Sequence, residues 1–358
     1  MQLSKMSGKP NGRRVRAASA AVLSAGVVSL ALSAPASGAS PRNAGRAEVV
    51  HGTTKSVTYV SDVGGLNDHG YNQYTYLGVK AGAIANHIPY HVIQTQDPSQ
   101  YVQNITTAAQ QSGLVILSGF SMGDALQAVS KRFPHVDFVI LDYSYSPPLK
   151  NVAGDVFDAQ ESSYLGGIVA AGISKTHTIG FVGGVDESTL QAFLAGYEAG
   201  ALAEYPGTHI KVEWTGSFTN EQAGKAAGQA EIAAGADVVY TAAGASGIGG
   251  IDAAQAAHVW AIGVDADQNY LAPKTVVTSV IKELSTVAED NISQYVHGSW
   301  KSGTHTYDLA NHGVGLAPFH GLASAVPAQV KKKLAAAMKA ISTGKIVVPV
   351  KPKYPNGR

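Results

Sequence analysis

From Lys55 onward, short apolar runs alternate with longer helix-like stretches. The runs are SVTYVS (56–61), YHVIQ (90–94), LVILS (114–118), VDFVILD (136–142), IGFVG (179–183), KVEWTG (211–216), ADVVYT (236–241), VWAIGV (259–264) and VVTSVI (276–281). Several are apolar throughout, the pattern of strands covered on both faces. Helical stretches occupy 72–86, 100–111, 123–133, 187–204, 220–234 and 283–300. Asp186 and Glu187 give one of them an acidic start, and Gly113 and Gly235 each close a helix just before a strand. Repeated strand–helix units imply α/β architecture, with mostly parallel sheets and right-handed crossovers. The strands are too many for one small sheet and fit two. Pro147-Pro148, within YSYSPPLKN (143–151), cannot be helix interior and offers a crossing between lobes.

Composition narrows the function. Of 358 residues, 45% are hydrophobic and 14% charged, which excludes a disordered chain. With net charge +1, a phosphate-tracking surface is not expected, so nucleic acid is not an expected partner. The absence of Cys removes disulfides, zinc–thiolate sites and cysteine nucleophiles. Residues 1–16 are basic, 17–32 (AASAAVLSAGVVSLAL) are uncharged and mostly apolar, and small residues follow at Ser37 and Ala39. That pattern reads as an export signal over 1–39. Arg13-Arg14 resembles a twin-arginine signal, but the apolar pair expected after it is missing. Removing 1–39 leaves 21 basic against 25 acidic residues, a net charge of −4.

Ligands of open parallel sheets sit at the carboxyl ends of the strands. DVGGLNDHGYNQ (62–73), GFSMGD (119–124), GVD (184–186), AAGASGIGG (242–250) and DADQ (265–268) all fall there. Together they suggest a cleft lined by carboxylates, amides, rings and backbone N–H groups. Gly119-Phe120-Ser121-Met122-Gly123 also fits the nucleophile elbow of a serine hydrolase. Asp265 with His297, His312 or His320 would have to complete such a triad, and no oxyanion segment lies upstream. The glycines at 244, 247 and 249 lack dinucleotide-fingerprint spacing, although Asp265 lies about the expected ~20 residues beyond. No metal site is expected: His87 and His91 are four apart, but Pro89 between them prevents a shared helix face.

The loops together resemble the basic membrane protein family of ABC-transporter substrate-binding proteins, the purine-nucleoside-binding lipoprotein group. The resemblance runs through VTYVSDVGGLNDHGYNQYTYLGVKAG, GFSMGDALQAVSKRFPHVDFVILD, NVAGDVFDAQESSYLGGIVAA and KTHTIGFVGGVDESTLQAFLAGYEAG. It continues through GSFTNEQAGKAAGQAEIAAGADVVYTAAGASGIGGIDAAQ, AIGVDADQNYLAPKTVVTSVIKEL and GVGLAPFH, covering residues 55–345. Within it GFSMG becomes the family's glycine-phenylalanine turn.

The resemblance implies a type I periplasmic binding protein: two doubly wound parallel-sheet lobes, a three-strand hinge, and ligand held between the lobes by closure. The expected boundaries are 55–150 with 266–307 for the first lobe and 151–265 with 308–345 for the second, followed by a flexible tail over 346–358. It implies a non-enzymatic, monomeric, exported protein, periplasmic or at the cell surface, that binds a nucleoside-like ligand for an ABC permease without a cofactor. A different heterocycle, such as riboflavin, is the alternative ligand.

By the same resemblance Tyr71 and Phe218 would stack on a base, and Asn72 and Asp124 would hydrogen-bond its edges. Asp265 and Lys282 would meet ribose hydroxyls, and Asp68, Phe193 and Gly247 would line the cleft. Several of these have structural alternatives: Asp68 and Asp124 can cap helices, Lys282 can pair with an acid, Phe193 can be core and Gly247 can serve turn geometry. The sequence departs from the family at Tyr71 in place of Phe, at His69-Gly70 in place of a charged-serine pair, and in lacking the Cys that carries a lipid anchor.

Overall fold

The computed structural model describes residues 55–358. The expected export signal lies outside the described residues.

The chain builds one α/β half, then a second of the same design. The first comprises β1 (Val57–Val60), α1 (Tyr71–Ala85), β2 (Tyr90–Ile93), α2 (Tyr101–Gln111), β3 (Leu114–Ser118), α3 (Gly123–Ser130), β4 (Asp137–Leu141) and β5 (Val152–Phe157). The second comprises α4 (Ala159–Ile173), β6 (Thr178–Gly183), α5 (Ser188–Glu204), β7 (His209–Trp214), α6 (Glu221–Ala233), β8 (Val238–Ala242), α7 (Ala245–Ala257), β9 (Trp260–Asp265) and β10 (Val276–Lys282). The chain returns to the first half for α8 (Leu284–His297) and β11 (Gly303–Tyr307), then ends in the second with β12 (Val314–Leu316) and α9 (Ala328–Ser342).

The first sheet is parallel, in the order β11-β5-β4-β3-β1-β2, and the second runs β12-β10-β9-β8-β6-β7. In the second only β12 is antiparallel, against β10. Strand order reverses between β1 and β3 in one sheet and between β6 and β8 in the other. Those are the switch points at which crevices open beyond the carboxyl ends of the strands. The central strands are fully buried, including Val57, Tyr59, Leu114 and Ile116 in one sheet and Ile179, Phe181, Val238 and Tyr240 in the other, as their continuous apolar runs require.

Part of the glycine content serves close helix packing. On α4 and α5, a Cβ at Gly167, Gly196 or Gly200 would collide with the backbone of the facing helix.

Three features differ from expectation. β5 pairs with β4 and β11 in the first sheet, and β10 pairs with β9 in the second. The first two lobe crossings therefore fall after Phe157 and after Lys282 rather than after residues 150 and 265; the third follows Tyr307. VAGDVF does not read as a strand because Asp155 interrupts it; the buried carboxylate is paired with His305 Nδ1 at 2.9 Å and Asn291 Nδ2 at 2.7 Å. The segment 143–151 returns within the first lobe rather than crossing. Finally, the tail is tied down: the buried Glu198 carboxylate accepts the backbone N–H groups of Lys353 and Tyr354, and Arg358 exchanges two backbone hydrogen bonds with Ile210. The backbone of Arg358 thereby satisfies part of the edge of β7.

Candidate functional site

A cavity lies between the two sheets at the carboxyl ends of their strands. The first lobe contributes Asp62 and the loop 64–72, Gly119, Phe120 and Asp142. The second contributes Phe193, Phe218, Gly244, Asp265 and Lys282 among others.

The loop after β1 is organised by buried carboxylates. Asp68 accepts from the N–H groups of Gly70, Asn72 and Gln73 at 2.8–3.1 Å. It thus satisfies N–H groups of the first turn of α1 that the helix leaves unpaired. Asn72 donates to Asp62 Oδ1 at 2.7 Å and to Asp68 Oδ2 at 3.0 Å, and its Oδ1 accepts from Ser118 Oγ at 2.7 Å. Both amide hydrogens are therefore committed. Asn72 holds the two acids in place rather than presenting a donor to the cavity. Asp62 takes its second internal bond from Gly64 N–H at 2.8 Å, again on Oδ1. Its other oxygen faces Gly119, whose φ of +111° lets bare backbone pass where a Cβ would press on that carboxylate. Burial pushes the Asp62 carboxyl up to about 6, against the lowering effect of the Gly64 and Asn72 bonds.

The opposite wall centres on Lys282, at the end of β10. Its ammonium lies 2.5 Å from Asp142 Oδ2 and 3.8 Å from Asp265 Oδ1. Asp142 follows β4 and Asp265 ends β9, so one cation joins carboxylates from both lobes. Both aspartates adopt left-handed backbone, with φ of +58° and +63°, a conformation Asp tolerates better than most residues. Burial raises the Asp265 carboxyl to about 7, Lys282 opposes that rise, and Asp142, Asp68 and Asp62 add to it.

Rings complete the cavity. The Lys282 ammonium sits 4.7 Å from the Phe193 ring centre and 5.2 Å from that of Tyr71. Phe218 meets Phe120 edge-on at 6.4 Å and fills space that a Cβ on Gly184 would occupy. The Tyr71 hydroxyl is buried without a hydrogen-bond partner, and burial pushes its pKa well above the usual phenol range. It therefore remains a proton donor.

The cleft is closed. His69 Nδ1 meets Tyr270 Oη at 2.8 Å, and Gln268 Nε2 donates to the His69 carbonyl at 3.1 Å.

Seven of the nine residues singled out from sequence line this cavity: Asp68, Tyr71, Asn72, Phe193, Phe218, Asp265 and Lys282. Two do not. Asp124 is exposed in the first turn of α3, because the helix begins at Gly123 and turns it outward. There it complements the helix dipole. Gly247 is buried where α7 approaches Thr241, and its N–H caps back onto the Gly244 carbonyl at 2.9 Å. Sequence reasoning missed Asp62, Asp142, Phe120 and Gly244. Asp142 closes the run VDFVILD, so the strand-end rule that selects Asp265 would also select it. Ser121 has the Tyr101 hydroxyl, at 3.2 Å, as its partner among the described residues, so the histidine of a hydrolase triad is missing there.

Residues 55–351 match the family described as ABC transporter substrate-binding protein, PnrA-like. The chain belongs to this family. It is 35% identical to the ABC transporter nucleoside-binding protein BmpA of Lactococcus lactis, over 84% of this chain and 90% of that one. It is 32% identical to basic membrane protein A of Borreliella afzelii, over 80% and 89%. Among solved structures, an ABC transporter solute-binding protein from Aeropyrum pernix superposes with a TM-score of 0.78 at 23% identity, covering 82% of this chain and 94% of that one. A dimeric Lac repressor shares the fold at a TM-score of 0.56 and 15% identity, over 73% and 96%. The fold is that of type I periplasmic binding proteins, and the family is one of ABC transporter substrate-binding proteins.

Proposed function

We propose that this protein captures a nucleoside between its lobes, outside the cytoplasm, and hands it unchanged to an ABC permease. The observation that carries the reading is the pairing of cavity rings with carboxylates. Tyr71 on one lobe and Phe193 and Phe218 on the other offer broad apolar faces to a planar base. Asp62 has one carboxylate oxygen without an internal partner and suits the N–H edge of that base. Asp265 accepts from ribose hydroxyls, and Lys282, which spends one N–H on Asp142, has two more to donate. The unpartnered Tyr71 hydroxyl adds a donor for a ligand oxygen or nitrogen.

Electrostatics favours a nucleoside over a nucleotide. Asp62, Asp68, Asp142 and Asp265 line the cavity together with one ammonium, that of Lys282, so a phosphate would meet mostly like charge. The Lactococcus lactis relative, named as a nucleoside-binding protein, supports the same reading. We take residues 1–39 as the export signal and the single chain as the working unit.

The test is thermal unfolding of the full chain with adenosine, guanosine, inosine, riboflavin or adenosine monophosphate. At about 100 times Kd a ligand adds roughly 2.7 kcal/mol to the native state. At least one purine nucleoside should raise Tm by several degrees, and the monophosphate should not. A shift with riboflavin alone, or with no compound, overturns the proposal.

A further inference from the structure

A second surface, remote from the cleft, has a composition unlike the rest of the molecule. Residues 55–326 contain 11 Lys and Arg against 24 Asp and Glu, whereas residues 327–358 contain eight Lys and Arg and no acid. That reversal falls on α9 and the segment after it. α9 buries Val330, Leu334, Ala337 and Ile341, and Val330 packs over Gly172 at the end of α4. Its outward side carries Lys332 and Lys339, beside Met338. The chain then folds back, with the N–H groups of Lys345 and Ile346 bonded to the Ala340 carbonyl.

Two independent properties coincide there. Lys331 and Lys333 are engaged, by the Ala323 carbonyl and by Glu204. Lys332, Lys339, Lys345 and Lys351 are exposed and have no carboxylate partner among the described residues. Interleaved with them are exposed apolar side chains: Met338 at 39%, Val350 at 55% and Val347 at 88%. Exposed aliphatic groups among unpaired lysines match an interface that offers anionic headgroups above an apolar layer.

We propose that α9 and residues 345–351 seat this protein on an anionic phospholipid bilayer. Lysines without guanidinium forks suit a diffuse field of headgroups more than one fixed anion. The valines gain by entering the acyl boundary, which neither a soluble polyanion nor water offers. The surface lies at the far end of the second lobe. Arg358, which continues it, pairs with Ile210 at the start of β7, whereas the cleft opens at the strands' other ends. Seating there leaves the cleft uncovered by the bilayer.

The test is co-sedimentation of the full chain with phosphatidylcholine vesicles, with and without phosphatidylglycerol. Wild type should pellet with the anionic vesicles at low salt and stay in solution with the neutral ones. Replacing Lys332, Lys339, Lys345 and Lys351 by Glu should weaken binding more than tenfold. Val347→Ser with Val350→Ser should weaken it several-fold, most visibly when salt screens the lysines. Thermal unfolding should show every variant folded. Wild type remaining in solution with anionic vesicles overturns the proposal, as does a lysine variant that pellets like wild type. If the valine variant binds like wild type and inorganic polyphosphate competes fully, the surface is a plain polyanion site and the bilayer reading fails.

Discussion

Lys282→Met should destabilise the protein by an amount that grows with pH. In the native state the ammonium lies 2.5 Å from Asp142 and 3.8 Å from Asp265, with all three side chains nearly sealed from water. Methionine keeps most of the volume and suits the neighbouring rings of Tyr71, Phe157 and Phe193, so the loss is mainly one of charge. Leaving a buried charge without its partner costs roughly 3–5 kcal/mol. Protonation limits that cost. Asp265 already titrates at about 7 with Lys282 present, and removing the cation raises it further. Near pH 6 Asp265 is then neutral, and the deficit should be about 1–2 kcal/mol. Near pH 9, keeping it neutral costs about 1.4 kcal/mol for each unit above its pKa, and the deficit approaches ~3–5 kcal/mol. At about 2 °C per kcal/mol for a chain of this size, Tm should fall by about 2–4 °C near pH 6 and by about 6–10 °C near pH 9. Calorimetry of wild type and variant at both pH values decides it. An equal loss at both, or a larger loss in acid, would refute this account of the cluster.

Asp265→Asn should separate stability from binding. The folded pKa of Asp265 is raised, so its contribution to stability is fully present below about pH 4 and is lost as pH rises through about 7. The amide should therefore make the unliganded protein more stable above pH 7, by about 1–4 kcal/mol, while nucleoside affinity by calorimetric titration falls at least tenfold, the cost of about one charged hydrogen bond. Phe218→Ala should weaken nucleoside binding by about 1–3 kcal/mol, or roughly 5–150-fold, and should also lower Tm, because the ring packs on Gly184 and Phe120; unchanged affinity would remove Phe218 from the base wall. Glu198→Ala should leave the Lys353 and Tyr354 N–H groups without an acceptor. It should lower stability by about 1–3 kcal/mol and speed proteolysis after residue 350, whereas intact resistance would show that other contacts hold the tail.

Apolar runs made most of the fold legible. LVILS and VDFVILD are buried on both faces, and nothing but a strand satisfies such a run at that length. Two of the strands that went unread, β5 and β11, carry polar residues with distant partners. VAGDVF holds a buried carboxylate whose acceptance depends on His305 and Asn291, about 150 and 136 positions away. GTHTY pairs with it at the sheet edge, so both escaped for the same reason, and the lobe boundaries shifted with them. In the site, residue type and strand-end position were legible for Asp265, but the direction of a side chain was not. Asp124 and Asp142 both follow apolar strands. One starts a helix and points out; the other adopts left-handed backbone and meets Lys282. Asn72 likewise has the right chemistry for a base edge, and only its hydrogen-bond count assigns it to holding Asp62 and Asp68.

The acidity of the closed cleft couples ligand, proton and hinge. Closure brings Asp62 and Asp142 from one lobe toward Asp265 of the other, with Lys282 as the cation among them. Without ligand, desolvation pushes Asp62 and Asp265 up to about 6 and about 7, so the empty closed form is favoured by protons. A nucleoside brings N–H and O–H donors that require ionised acceptors, so its binding must release those protons. Unliganded stability should therefore fall as pH rises through about 6–7, while nucleoside affinity rises over the same interval. Titration calorimetry in buffers of different ionisation enthalpy measures the release directly, and up to about two protons per ligand are expected below pH 6. Proton uptake on binding, or an affinity that declines toward pH 8, would mean that the carboxylates meet the ligand as donors, and the assignment of Asp62 and Asp265 to base and ribose would have to be abandoned.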